Sequence, residues 1–470
     1  MLLIPTTARS VPASRYWLVL AAVLVTIKLV LALFDPTMRF FLGDSESYLH
    51  TALTGWIPPD RSFLYGKFVA ASALLPGSLY GLLIAQSLCG VFSALLLARI
   101  ACIDLGADRR LAAVLACALA LDPAQLFYER MMMAESLGCL CLLGMLACGF
   151  AYLRKQWWPW LLAVALFGIA TVALRMSLLP MVLGFALLPA LVPLAHKRGR
   201  LNWLRVAGHA TIALAATALL HNAYQYWYGR LSEGPRTYLQ SSGTFRLGLV
   251  APLLRPEHLQ EVGLPADLLT QVGPDLRAPR QREAQLWLDD GLIAVLRRAA
   301  GADTENKARR LASLALRDDI PGFLRLAAAT TADYFVAQET RTRMADDLGT
   351  RPLSADAVEK LRDRLGYDAS RFHEVRNPVA LYFERMGNWL IVCLFALAPL
   401  GLIVLLRQWQ QRRNAALLLC LSALGLVAGQ LLFSHIVSFR YLHAFPPLVL
   451  LCLAGCFASA RRTSGLEPSP

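Results

Sequence analysis

Apolar residues in this chain fall into long continuous blocks rather than into alternating or heptad patterns. Ten blocks approach the ~20 residues that a helix needs to cross a bilayer. They cover residues 16–34, 79–100, 111–126, 134–153, 157–174, 176–195, 203–221, 389–406, 415–433 and 441–460. Several are separated by only a few residues, so neighbouring helices must run antiparallel. The first block lacks a small-residue cleavage site and is too long for a signal-peptide core, which predicts a retained helix. The pattern predicts an all-α polytopic membrane protein with about ten transmembrane helices.

One stretch interrupts this pattern. Residues 221–388 carry 23 basic and 22 acidic side chains, so the stretch is nearly neutral and long enough for a small domain. Apolar spacing within it is helical over 285–300 and 321–337. Proline and glycine cluster at 248–256 and 263–279. The expected organisation is an N-terminal seven-helix module (1–221) with a first outer loop at 35–75, a mostly helical extracytoplasmic domain (222–388) and a C-terminal three-helix module (389–470).

Composition agrees with a membrane protein. The chain has 470 residues, 57% hydrophobic and 17% charged, with a mean hydropathy of +0.49. Soluble domains average about 45–50% apolar and roughly 25% charged residues. A soluble cytosolic enzyme and a disordered chain are thereby excluded. The ten cysteines lie in or beside the apolar blocks, where thiols act as small hydrophobes rather than as a disulfide framework. The net charge of +14 is spread in small groups, which suits a membrane protein and not a nucleic-acid binder.

Those groups set an orientation. Alternate loops hold Arg9 and Arg15; Arg99, Arg109 and Arg110; Arg154 and Lys155; Lys197, Arg198, Arg200 and Arg205; Arg407, Arg412 and Arg413; and Arg461 and Arg462, sixteen cations in all. The other short loops hold six: Arg39, Arg61, Lys67, Arg130, Arg175 and Arg440. The positive-inside rule places the first set and both termini in the cytoplasm. Of the ten acids outside the long stretch, Asp35, Asp44, Glu46, Asp60, Asp122, Glu129 and Glu135 fall on the outer side. Topology does not require that bias, and an acid near hydrocarbon costs free energy, so this group contains site candidates. The alternative reading is interfacial helix capping, as for Asp122 before Pro123.

The chain has no phosphate-cradling glycine loop, no metal-spaced Cys/His cluster and no nucleophile elbow. The most distinctive polar motif is Asp44-Ser45-Glu46-Ser47-Tyr48, just beyond the first helix. Asp44 and Tyr48 are four apart and share a helical face, whereas Asp44 and Glu46 do not. Either carboxylate can serve as a general base at the water–membrane boundary. Arg61 and Lys67 follow in the same loop and can bind phosphate.

With three further motifs, this segment resembles the GT-C superfamily of polytopic glycosyltransferases, in the group of protein mannosyltransferases and bacterial aminoarabinose transferases. The others are Arg130-Met131-Met132-Met133-Ala134-Glu135-Ser136, Leu174-Arg175-Met176-Ser177-Leu178-Leu179-Pro180, and Phe439-Arg440-Tyr441-Leu442-His443-Ala444-Phe445-Pro446. The resemblance implies inverting sugar transfer from a polyprenyl-phosphate donor to a glycolipid, polysaccharide or protein acceptor. The reaction would occur on the periplasmic face of a bacterial inner membrane. It implies Asp44 as the base, with Glu46 as its rival, because Ser45 stands where many members have a second acid. Glu135 would orient substrate, helped by Asp122, Glu129 and Tyr48. Arg175 and Arg440, with Arg61 and Lys67, would hold the donor phosphate; interfacial snorkelling is the alternative for the two helix-end arginines. Members differ in their use of a divalent metal, and the spacing here supplies no site for one. Competing classes are a surface-polysaccharide polymerase or ligase and a lipid-linked sugar flippase or transporter.

The charge asymmetry makes a direct prediction. Reporter fusions after Gly229 and after Arg412 are expected to report opposite sides of the membrane. The same side for both would overturn this orientation.

Overall fold

The computed structural model describes residues 13–195, 203–349, 351–374 and 376–458. Arg9, Lys197, Arg198, Arg200, Arg461, Arg462 and Glu467 lie outside those residues. The architecture is all-helical. Among the described residues the one β feature is an isolated bridge between Arg39 and Met131.

The N-terminal helices are α1 (Ala13–Phe34), α2 (Leu42–Thr54), α3 (Phe63–Val69), α4 (Leu79–Arg99), α5 (Arg109–Ala120), α6 (Pro123–Tyr128), α7 (Glu135–Lys155), α8 (Pro159–Leu174), α9 (Leu179–Leu191) and α10 (Trp203–Leu231). The polar stretch follows with α11 (Ser242–Val250), α12 (Pro256–Glu261), α13 (Arg282–Trp287), α14 (Leu292–Ala300), α15 (Thr304–Asp318), α16 (Ile320–Asp333), α17 (Ala337–Asp347), α18 (Ala355–Leu365) and α19 (Pro378–Met386). The chain returns to apolar helices with α20 (Trp389–Gln408), α21 (Arg413–Phe433) and α22 (Phe445–Phe457).

Among the described residues, seven helical segments are long and apolar enough to cross a membrane: Ser14–Phe34, Leu79–Asp104, Glu135–Lys155, Met176–Leu194, Trp203–Leu231, Trp389–Gln408 and Arg413–Phe433. Phe63–Leu74, Pro159–Leu174 and Tyr441–Phe457 are shorter apolar helices. The protein is thus a multi-pass membrane protein. Small residues let its helices approach closely. A Cβ at Gly144, Gly149 or Gly168 would come within 2.8 Å of Phe167, 2.7 Å of Phe185 or 2.9 Å of Val182, respectively.

The predicted block at 111–126 is not one helix. It divides into α5 and α6 because Asp122 Oδ1 accepts from Ala124 N and Gln125 N, both at 3.0 Å, and Pro123 starts the new helix. The break frees the Ala120 carbonyl, which accepts from Lys28 Nζ at 2.6 Å. Lys28 also pairs with Glu129 Oε1 at 2.8 Å. Gln125 donates to the same carboxylate oxygen, and its own Oε1 meets His443 Nε2 at 3.0 Å. A buried polar string thereby joins α1, α6 and the entry to α22. Gly90 makes room for it, since a Cβ there would lie 1.9 Å from Glu129 Oε1.

The two ends of the bundle differ. At one end Arg154 pairs with Asp104, Gln408 donates to Leu105 O and Gly455 O, and Arg407 donates to Cys456 O. The other end carries the polar stretch and is called the loop end here. The stretch does not share a single core. Residues from Leu247 to Phe323 form their own apolar cluster. Tyr334, Met344, Leu348, Leu361, Phe372 and Phe383 belong to the core of the bundle. The helical spacing expected over 285–300 is broken between α13 and α14, where Leu288 to Gly291 turn the chain.

Tyr224 and Tyr228 of α10 are buried, whereas Tyr226 and Trp227 between them stay exposed. Helix α10 has 29 residues, about 43 Å of helix. Near its C-terminal end Tyr224 stacks with Tyr238 and Phe63, and the Tyr228 ring lies tilted against Phe63. Tyr228 donates to Pro58 O at 3.0 Å.

Removing one partner of a buried ion pair strands the other. Lys28→Met is expected to cost about 3–5 kcal/mol, read as a lower Tm of the detergent-solubilised protein. Lys28→Met/Glu129→Gln should recover most of the loss. An unchanged Tm for the single variant would contradict a structural role for the pair.

Candidate functional site

The loop end encloses a cavity of about 1030 Å³. Its polar part is assembled from four sequence-distant segments. The chain leaving α1 is fixed by a two-way backbone bridge: Arg39 N donates to Arg130 O at 2.7 Å, and Met132 N donates to Arg39 O at 3.0 Å. This sets the start of α2 beside the start of α7. Asp44 lies in the first turn of α2, where the helix dipole favours negative charge. Tyr48, one turn later, also lines the cavity. Burial, then the nearby Asp44 charge, raises the Tyr48 hydroxyl pKa, so it stays protonated.

Asp44 is held between two arginines. Its Oδ1 lies 2.5 Å from Arg61 Nη2, and its Oδ2 lies 2.7 Å from Arg440 Nη1. Arg61 also grips Asp60 Oδ2 at 2.7 Å. Arg440 Nε and Arg175 Nη1 each stand 3.6 Å from Glu135 Oε1. Arg175 Nη2 donates to the Arg440 carbonyl at 3.0 Å. The stem of Arg175 passes over Gly138, where a Cβ would come within 3.0 Å of it. Arg175 Nη1 and Glu135 Oε2 are buried and make no hydrogen bond within the protein. One donor and one acceptor are therefore left without a hydrogen bond beneath the cavity floor.

The remaining predicted site residues lie elsewhere. Glu46 turns to the other side of α2 and accepts from Ser354 N at 2.7 Å, fastening the start of α18. Lys67 is exposed on α3 and does not line the cavity. Asp122 caps α6 and accepts from Trp389 Nε1 at 3.0 Å. Glu129 is spent on Lys28 and Gln125. Arg130 donates to Asp35 O and Leu126 O, away from the cavity. Ser45 holds the start of α2 in place, because its hydroxyl accepts from Phe41 N at 2.8 Å and donates to Met132 O at 3.0 Å. A carboxylate at position 45 would face that carbonyl.

Four cavity residues have no motif of their own in the sequence. Asp60 is the acid before Arg61, and burial raises its pKa against the opposing Arg61 charge. Trp287 lies with its ring 5.7 Å from the Arg61 guanidinium, linking α13 to the first loop. Asp347, at the end of α17, is buried, and its Oδ2 accepts from Phe439 N at 2.8 Å and Arg440 N at 3.2 Å. Burial pushes its carboxyl up to about 7, against the pull of the Arg440 charge and of these two hydrogen bonds. His435 lines the same cavity; burial, with Arg282, Arg343 and Arg440 around it, pushes its imidazole down to about 3. No local pattern distinguishes Asp347 from the other acids of the polar stretch.

The cavity wall is apolar where it meets the membrane helices. Leu179, Pro180 and Leu183 of α9 face Gly429 and Phe433 of α21, and Leu316 and Phe323 extend the surface toward the polar stretch. Leu183, Phe433 and Leu316 remain substantially exposed. Among the described residues, no group of three or more His, Cys, Asp or Glu side chains is arranged to hold a metal ion. Asp44 and Glu135 face guanidinium groups instead. The arrangement suits an amphipathic anion, with its charge on the arginines and its chain along the apolar wall.

No family model and no curated protein matches this chain. Among solved structures, it is similar to ArnT from Cupriavidus metallidurans bound to undecaprenyl phosphate. The identity is 16%, the match covers 93% of this chain and 78% of that one, and the TM-score is 0.33. A superposition at that level fixes no residue correspondence.

Proposed function

We propose that this protein is an inverting glycosyltransferase that moves a sugar from a polyprenyl-phosphate donor to an acceptor hydroxyl. The observation that carries the reading is the placement of Asp44 between Arg61 and Arg440, beside an Arg175 nitrogen that makes no hydrogen bond, where a polar floor meets an apolar wall. A general base, a set of anion-binding donors and a lipid-facing surface thus share one cavity.

In this reading the donor phosphate takes the unsatisfied Arg175 Nη1 donor and draws Arg440 from Asp44. Asp44 then accepts the acceptor's O–H proton as that oxygen attacks the anomeric carbon. The bond from the anomeric carbon to the phosphate oxygen breaks on the opposite face. The leaving polyprenyl phosphate gains one negative charge, which the arginines stabilise as it develops. Atoms and charge balance with the proton on Asp44, and configuration inverts. Glu135 orients the two arginines, and Tyr48 borders the sugar. Glu46 serves α18 rather than the chemistry. The loop end is the outer, periplasmic side, following the charge asymmetry of the loops. Residues 222–388 cover the site that the modules 1–221 and 389–470 build.

Asp44→Asn keeps size and hydrogen bonding but cannot take the proton. Transfer is expected to fall by about 10²–10⁴-fold, read by mass comparison of envelope glycolipids at equal protein abundance. Glu46→Gln should retain transfer. Near-normal transfer with Asp44→Asn and none with Glu46→Gln would move the base to Glu46. Activity in both variants would remove the carboxylate mechanism. Arg175→Lys keeps a charge but loses the planar fork, so apparent donor affinity should fall more than abundance.

A further inference from the structure

Residues 347–349 and Ser354 tie together the two segments that carry Asp44 and Arg440. Asp347 accepts from the backbone N–H groups of Phe439 and Arg440. Leu348 O accepts from Arg39 Nε at 3.1 Å and Nη2 at 2.9 Å. Gly349 has φ +70°, and a Cβ there would come within 2.3 Å of Phe40 O, so both its backbone and its packing require glycine. Ser354 N donates to Glu46. A short segment of the polar stretch therefore touches the first loop three times and the last loop at the peptide of Arg440.

That peptide has two functions in the cavity. The side chain of residue 440 reaches Asp44, and its carbonyl accepts from Arg175 Nη2. Fixing the 439–440 backbone thus places two guanidinium groups at once. One buried side-chain oxygen that accepts from two successive backbone N–H groups fixes that stretch of chain against the end of α17.

We propose that Asp347 is a positioning residue. It holds the residue 440 peptide so that Arg440 and Arg175 converge on the phosphate of a polyprenyl-phosphate ligand. This rests on the glycosyltransferase reading of the cavity.

The test uses the full-length protein in detergent and two probes, undecaprenyl phosphate and undecaprenol. They share the chain and differ in the phosphate. Wild type is expected to bind the phosphate at least tenfold more tightly than the alcohol. Asp347→Ala should weaken undecaprenyl phosphate binding by about tenfold and leave undecaprenol binding unchanged. Asp347→Asn retains an acceptor for both N–H groups and should come within about threefold of wild type. Asp347→Glu moves the carboxylate by one methylene; it should show the selective loss even where the alanine variant fails to accumulate. Equal weakening of both lipids would reduce Asp347 to a structural residue and overturn the proposal. Unchanged binding of both lipids in Asp347→Ala and Asp347→Glu would overturn it as well. A wild type with no preference for the phosphate would instead overturn the phosphate-site reading itself, and this proposal with it.

Discussion

The contact on which the site depends is the Asp44–Arg440 ion pair, formed between residues 396 apart in sequence. It joins the first turn of α2 to the loop before α22, the two ends of the fold. Arg440 is half-buried, and Asp44 is among the buried charged residues. Stripping either charge of its partner at that depth would leave an uncompensated ion, which is strongly destabilising. The pair persists because it is shared. Arg61 takes the other Asp44 oxygen, Arg440 leans toward Glu135, and Arg175 holds the carbonyl of residue 440. The result is a charge network with a donor to spare at Arg175, suited to receiving an anion.

The rest of the bundle must satisfy its polar groups internally, since hydrocarbon offers no hydrogen bonds. This accounts for the separate string of Lys28, Glu129, Gln125 and His443. The string occupies acids and bases that a sequence reading also counts as site candidates. Asp122 is similar: a helix cap and a partner for Trp389 use both its oxygens. Charged residues of the loop end thus divide between local structure and the cavity, and only the geometry separates them.

Block hydropathy makes the helices legible, because a span must be apolar along its whole length. The cap-and-proline signal at Asp122-Pro123 also marks the point where the third block divides. The four-residue spacing of Asp44 and Tyr48 places them on the cavity face of α2, and Glu46 falls on the other face as the same geometry requires. Contacts between distant segments were not legible. Glu129 meets Lys28 across 101 residues, and Asp347 meets Arg440 across 93. Neither pairing leaves a periodic trace in the chain. Lys67 shows the converse error: a cation in the right loop, carried away from the cavity by one turn of α3.

The most direct measurement is a cryo-EM structure of the full chain with undecaprenyl phosphate bound. The account predicts phosphate density within hydrogen-bond distance of Arg175 Nη1 and Arg440, and the isoprenoid chain along Leu179, Leu183 and Phe433. It also predicts that Arg440 has moved from Asp44 toward the phosphate. Phosphate density away from both arginines, with the Asp44–Arg440 pair intact, would contradict it.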